Sequence, residues 1–212
     1  MNDVFTFGLY AFTGFLALIN PLGVAPVFLT MTADLTQKQR MKTAFNAVLT
    51  AFIVLTLFAF AGQLLFKFFG ISVASFRVAG GIIFFIMGYD MLNARVSRLK
   101  YDDADVENEI KDIAVTPLGI PMIAGPGAIT NAIVLMDDAH TVGHKIALPL
   151  AIFLVLLTTY LLLVAGTKVM KFLGETGNRI MLKIMGLIMM VIAVEFFFAG
   201  LGPILQNILK GI

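Results

Sequence analysis

The chain has 212 residues, of which 59% are hydrophobic and only 13% are charged. Because soluble domains carry about 25% charged residues, this composition excludes a soluble domain and predicts a polytopic membrane protein. The absence of cysteine excludes disulfides and thiolate chemistry, and a net charge of +2 provides no basic surface for nucleic acid.

Six apolar segments follow one another along the chain, and each is long enough to cross a bilayer. We predict them at about 5–31, 42–69, 72–93, 113–136, 144–171 and 179–209. Thr36 and Gln39 fit a capping box ahead of the second segment, and Gly174 to Asn178 predicts a break between the fifth and the sixth. The predicted fold class is therefore an all-α membrane protein with six transmembrane helices.

Two of these segments contain proline and glycine in positions that predict interrupted helices. The first carries Asn20-Pro21-Leu22-Gly23 followed by Pro26, and the fourth carries three prolines and three glycines between Pro117 and Thr130. Proline lacks a backbone donor and its ring clashes with the preceding turn, so helices 1 and 4 are predicted to be discontinuous. Broken backbone persists in a membrane only where it is packed in protein or lines a wet cavity. A simple proline kink is the alternative.

The two interruptions occupy matching positions, because Asn20–Val24 aligns with Thr116–Ile120 at a constant offset of 96 residues. Such a pattern indicates a transporter built from two inverted repeats, with its binding site at the interruptions. Since each half holds three helices, an odd number, the second half is inverted relative to the first. We predict a first three-helix repeat at 1–93, a charged cytoplasmic linker at 94–112, and a second, inverted three-helix repeat at 113–212.

Lysine and arginine in the connections predict the orientation in the membrane. The connections after the first, third and fifth segments hold ten of these residues, against three on the opposite face. Both termini are therefore expected on the outer side. The acidic run within 94–112 is interpreted as a solvated linker rather than a metal site, because it has no calcium-loop spacing and no histidine.

Four charged residues lie inside apolar segments, where an unpaired charge costs roughly 2.5–3.5 kcal/mol on insertion scales. Their depths predict two ion pairs, Arg77 with Glu195 near the outer surface and Asp90 with Lys183 near the inner surface. One interpretation is structural, with the pairs locking the two halves together. The other is a coupling role, in which Glu195 takes up a proton or changes partner as the site switches sides.

The sequence resembles the MarC family of integral membrane proteins along essentially its whole length. The resemblance lies in Asn20–Gly23 with Pro26, Phe76–Gly81, Pro117 with Pro121, Ala124–Ile129, and Ile184–Leu187 followed by Glu195. It implies a six-helix protein of the cell inner (plasma) membrane. A few members of the family are described as carriers of small neutral amino acids such as glycine and alanine. The resemblance therefore implies a secondary transporter of such substrates.

The two interruptions are predicted to form the substrate site near the midplane of the membrane. A helix resuming after Gly127 would leave the N–H groups of Ala128, Ile129 and Thr130 unpaired, and such a helix end suits a carboxylate. The first interruption offers carbonyl groups and the Asn20 amide to an ammonium group. The predicted substrate-binding residues are Asn20, Pro21, Gly23, Pro26, Gly125, Pro126, Gly127, Ala128, Ile129 and Thr130.

The sequence gives little support for an enzyme or for a metal site. No metalloprotease, nucleophile-elbow or dinucleotide-binding motif occurs, so the chain is predicted not to be an enzyme. Asn46 and Asn131 are equally consistent with substrate binding and with helix–helix hydrogen bonds. His140 and His144 are interpreted as a solvated pair rather than a metal site. The expected partners are a small zwitterionic amino acid and the lipid bilayer, with no metal or cofactor. Coupling to H⁺ or Na⁺, a channel, and a non-transporting scaffold or regulator stay open.

Overall fold

The computed structural model describes residues 2–32, 35–93 and 112–210, and within these ranges all regular structure is helical. In chain order the helices are α1 (Asn2–Ile19), α2 (Pro21–Met31), α3 (Gln37–Phe69), α4 (Val73–Leu92), α5 (Ala114–Ile123), α6 (Pro126–Asp137) and α7 (Val142–Lys210). The predicted all-α class is confirmed. The predicted linker at 94–112 lies outside the described residues, apart from Asp112.

Within the described ranges, five helical stretches are long and apolar enough to cross a membrane. They are Asp3–Leu29, Gln37–Phe69, Val73–Leu92, Val142–Gly166 and Gly186–Leu209. α5 and α6 supply a sixth when this bent pair is counted as one span. Large apolar side chains such as Phe60 and Leu64 are exposed, which suits a surface in contact with lipid tails.

α3 begins and ends at local signals that its sequence contains. The Gln39 N–H donates to Thr36 Oγ1 at 3.4 Å, and the Thr36 N–H donates to Gln39 Oε1 at 2.8 Å. The predicted capping box is thus confirmed. Gly70 ends the helix with a φ of 63°, in the left-handed region that glycine adopts without strain. The chain then folds back, because the ring of Phe76 in α4 lies 5.4 Å from that of Phe66.

The backbone of α7 is helical from Val142 to Lys210, including Gly174 to Asn178, where a break was predicted. The predicted division into two spans is still seen, because Val142–Gly166 and Gly186–Leu209 are separate candidate spans on either side of these residues. The element is nevertheless not straight. Gly166 packs against Leu29, and Phe196 lies beside Leu18, eleven residues earlier in the first span. The 30 residues from Gly166 to Phe196 would extend about 45 Å in a straight helix, whereas Leu18 and Leu29 lie about 17 Å apart along theirs. α7 therefore turns back on itself between its two apolar parts.

The last part of α7 packs antiparallel against α4 with almost no side chain between the two backbones. A Cβ on Gly81 would lie 2.8 Å from the carbonyl oxygen of Ala193, and one on Gly200 would lie 2.5 Å from that of Ala74. Small residues allow such close approach, and in membranes helix association depends on it because lipid tails are as apolar as leucine. We call this contact the α4–α7 seam.

α1 crosses α6 in an antiparallel arrangement, which decides where the two interrupted spans meet. Gly14 faces Asn131, and Leu18 faces Gly127 one turn further along. The same register brings Asn20, the residue between α1 and α2, to the level of the break between α5 and α6. The interruptions of the first and fourth spans therefore lie at the same height in the bundle.

Candidate functional site

The first span is interrupted at a single residue, Asn20. Its φ of 46° lies in the left-handed region, which asparagine tolerates better than most residues. The Gly23 N–H donates to Asn20 Oδ1 at 3.3 Å, so the side chain caps α2. Pro21 follows in the first helical position, where a missing N–H is harmless. The discontinuity predicted in helix 1 is confirmed, although α1 and α2 continue as one span.

The fourth span is broken more strongly, with a bend of 60° between α5 and α6. α5 is a wide π-type helical segment in which Thr116 and Ile120 have extended backbone angles. Both residues precede prolines, and proline disfavours helical angles in the residue before it. Gly125 is also extended and leads directly into α6. The discontinuity predicted in helix 4 is confirmed.

α6 begins at Pro126, two residues earlier than the sequence interpretation placed it. The Ile129 N–H donates to the Gly125 carbonyl at 2.9 Å, so this group is not unpaired, and Thr130 lies one residue deeper in the helix. The expectation of three open N–H groups at Ala128, Ile129 and Thr130 was therefore wrong. Proline favours the first helical position, and this leaves Gly127 and Ala128 as the residues whose N–H groups have no acceptor within the helix.

Neighbouring side chains fill the space that the glycines of this break leave. A Cβ on Gly125 would lie 2.7 Å from Phe84 Cζ and 2.8 Å from the Pro121 carbonyl oxygen. A Cβ on Gly127 would clash with the ring of Phe196. These glycines therefore serve close packing of the broken backbone, in addition to any role toward a ligand.

A cavity of about 300 Å³ lies beside α6. Its lining residues are Leu18 of α1, Arg77 of α4, Gly127, Thr130, Asn131 and Val134 of α6, and Glu195, Phe196 and Ala199 of α7. The four residues from α6 recur at helical spacing and so share one face. Gly127 lies at the end of the cavity next to the break, and Val134 lies at the end nearer the connection to α7.

Only part of the predicted site lines this cavity. Gly127 and Thr130 do so, together with the predicted charges Arg77 and Glu195. The other predicted substrate-binding residues are absent from its walls, namely Asn20, Pro21, Gly23, Pro26, Gly125, Pro126, Ala128 and Ile129. Leu18, Val134, Phe196 and Ala199 were not predicted. The sequence contains one signal for these lining residues. Helical spacing along α6 places Asn131 and Val134 on the same face as Gly127, so it would have predicted that both line the site.

Arg77 and Glu195 share the cavity without forming an ion pair with each other in this structure. Arg77 is half-buried, and Glu195 is exposed. The second predicted pair, Asp90 and Lys183, does not line the cavity and forms no ion pair either. The antiparallel register of the α4–α7 seam still places these two residues at nearly the same height. Both pairings stay predictions.

Two polar atoms of α6 are buried beside the charges, in Thr130, which is buried, and in Asn131, which is half-buried. Thr130 is 2% exposed, and its Oγ1 has no hydrogen-bond partner within the described part of the chain. The same holds for Asn131 Nδ2, which faces Gly14 of α1. A buried polar group left unpaired costs about 1–3 kcal/mol. The cavity thus brings together a cation, an anion and two polar groups with unused hydrogen-bonding capacity.

His144, near the start of α7, packs against α1. It is only 8% exposed, which corrects the interpretation of a solvated histidine pair. Its Nε2 lies 3.1 Å from Asp3 Oδ2, and its ring stacks on Phe7 with 4.5 Å between centroids. Across the described ranges, no group of three metal-ligating side chains is placed to hold an ion.

These features define a polytopic α-helical membrane protein in which a broken span borders a charged cavity. The sequence matches the family described as MarC family integral membrane protein over residues 5–205. Because this match covers nearly the whole chain, the chain belongs to the MarC family.

Similar proteins occur in archaea and bacteria and carry the description UPF0056 membrane protein. The one from Pyrococcus horikoshii is 40% identical over 190 residues, covering 90% of this chain and 92% of its own. The one from Methanocaldococcus jannaschii is 38% identical over 192 residues, covering 90% and 94%. The one from Bacillus subtilis is 37% identical over 201 residues, covering 93% and 95%. No solved structure matches the chain.

Proposed function

We propose that the chain is a secondary transporter of small neutral amino acids such as glycine and alanine, with the cavity beside α6 as its substrate site. The observation that carries this proposal is the presence of Arg77 and Glu195 in one cavity, unpaired with each other. Charged residues within membrane spans are rare and mark substrate or ion pathways. A zwitterion satisfies both charges at once, with its carboxylate on Arg77 and its ammonium group on Glu195.

The size of the cavity favours a small ligand. Its volume of about 300 Å³ lies at the lower end of the range of roughly 300–1,000 Å³ for ligand pockets. The Thr130 hydroxyl can bond either end of an amino acid, Asn131 Nδ2 can donate to the carboxylate, and the N–H groups of Gly127 and Ala128 favour a nearby carboxylate. Asn20 and the first break then serve mainly to shape the bundle around this site.

An inverted repeat is part of the proposal, with repeats at 1–93 and 113–212. Its support is the 96-residue offset between the patterns Asn20–Val24 and Thr116–Ile120, and a correspondence between the helix contacts of the two halves. α1 and α2 pack on the first part of α7, which they contact at Ala147 and Gly166, as α5 and α6 pack on α3. The last part of α7 packs on α4. Transporters of this kind alternate access by rocking one repeat against the other.

We expect an inner-membrane location with both termini outside, because ten Lys and Arg residues fall in the connections assigned to the cytoplasm and three fall opposite. Since the chain has no cysteine, single cysteines can report the orientation directly. A cysteine at Ser72 should react with a membrane-impermeant maleimide in intact cells, and one at Lys38 only after lysis. The reverse pattern would overturn the orientation.

The function is tested by titrating the detergent-purified protein with glycine and alanine in a calorimeter. We expect dissociation constants of about 1 mM or tighter, corresponding to roughly −4 kcal/mol. Glycinamide, which lacks the carboxylate, and acetate, which lacks the ammonium group, should not bind. Proteoliposomes should then show saturable uptake, and imposed proton or sodium gradients identify the coupling ion. Non-saturating flux would favour a channel, and neither binding nor flux would favour a scaffold.

A further inference from the structure

Phe196 is the aromatic residue in the wall of the cavity, and it packs next to the break in the fourth span. It follows Glu195 directly in α7. The ring of Phe84 packs against the ring of Phe196, with 6.2 Å between ring centroids. Phe84 packs in turn against Gly125, so the two rings sit over the break in the fourth span.

The ring of Phe196 reaches the backbone of α6 because residue 127 is glycine. A Cβ at Gly127 would clash with this ring and would lie 3.2 Å from Leu18 Cδ2. Phe196 and Leu18 therefore meet over Gly127 and close the end of the cavity nearest the break. The space available to a ligand at this end depends directly on the phenylalanine ring.

We propose that Phe196 sets the upper limit on the size of the substrate side chain. This inference rests on the proposed function and adds the specificity-determining residue. When Arg77 and Glu195 hold the two charged groups of an amino acid, its side chain must lie against the remaining apolar wall. That wall consists of Leu18, Val134, Phe196 and Ala199. Phe196 is the bulkiest of the four, so it decides whether anything larger than a methyl group fits.

The test compares the binding of glycine, alanine, valine and leucine to the wild type and to Phe196→Ala. Removing the ring creates room for a larger side chain, and each additional buried methylene favours binding. We expect the preference for leucine over glycine to rise by about 10-fold or more. Phe198→Ala is the matched control, because Phe198 is 62% exposed, and its ligand preference should equal that of the wild type.

A second variant acts in the opposite direction and does not depend on removing a large side chain. Gly127→Ala should push the Phe196 ring into the cavity, so alanine should lose more affinity than glycine. If the wild type binds glycine or alanine but both variants keep its ligand preference, Phe196 is not the size limit and the inference is overturned alone. If the wild type binds none of the four amino acids, the proposed function fails and this inference fails with it.

Discussion

Neutralising either charge of the cavity, by Arg77→Gln or Glu195→Gln, should weaken glycine and alanine binding by roughly 10- to 100-fold. A hydrogen bond to a charged group contributes about 1.5–3 kcal/mol, and each variant removes one such bond to the zwitterion. The effect is amplified because the ligand group left without a partner still has to leave water. Calorimetry on the purified variants measures the loss directly.

Lys183→Gln is the matched control for these variants. Lys183 is a charged residue of the same helix as Glu195, but it lies outside the cavity, so its neutralisation should leave the dissociation constants unchanged. Thermal unfolding of all three variants separates loss of the site from loss of the fold. Wild-type affinity in both Arg77→Gln and Glu195→Gln would remove these residues from the substrate site.

The charge swap that combines Arg77→Glu with Glu195→Arg distinguishes the two interpretations of this pair. If the charges only lock the repeats together, both the melting temperature and transport should recover. Because we place the residues on the substrate, we expect the fold to be retained while transport stays lost. The swap exchanges the positions of the cation and the anion, whereas Thr130 and Asn131 stay in place, so a zwitterion would meet the reverse arrangement of charges in an otherwise unchanged cavity.

Gly200→Val should be the most damaging single substitution in the α4–α7 seam. A Cβ at this position would lie 2.5 Å from the Ala74 carbonyl oxygen and 2.9 Å from the Val78 N atom. These are backbone atoms of α4, so no side-chain rotation can relieve the overlap, and the two helices must separate. Overpacking of a tight interface costs about 1–3 kcal/mol and occasionally more. We expect a loss of about 3 kcal/mol, seen as a lower melting temperature and a broadened elution peak in detergent.

Gly202→Val provides an internal comparison only two residues away. A Cβ on Gly202 meets no atom within 4 Å, so this substitution changes helix propensity and β-branching in the same way without touching α4. Its melting temperature should stay close to that of the wild type. Equal destabilisation by both substitutions would show that backbone propensity, rather than the α4–α7 seam, is responsible.

Features of this protein that depend on local chemistry could be predicted from the amino-acid sequence. Twenty-residue apolar stretches predict spans because only such segments suit hydrocarbon, and the capping box at Thr36 satisfies N–H groups within one turn. The breaks at Asn20 and before Pro126 follow from what proline and glycine do to their own backbone. Pro126 itself shows the limit of that reasoning, because its preference for the first helical position moved the start of α6 by two residues.

The set of residues that share a cavity depends instead on how distant parts of the chain pack together. Phe196 is one of 20 phenylalanines in the chain, and nothing in its sequence context distinguishes it from those that face lipid. Its role depends on α7 turning back to meet α4, and on Gly127 leaving room for a ring that is distant in sequence. That Arg77 and Glu195 lie at similar heights was predictable from 1.5 Å per residue, but that they line one cavity without pairing was not. Depth follows from counting along one helix, whereas lateral position depends on how the helices pack against one another.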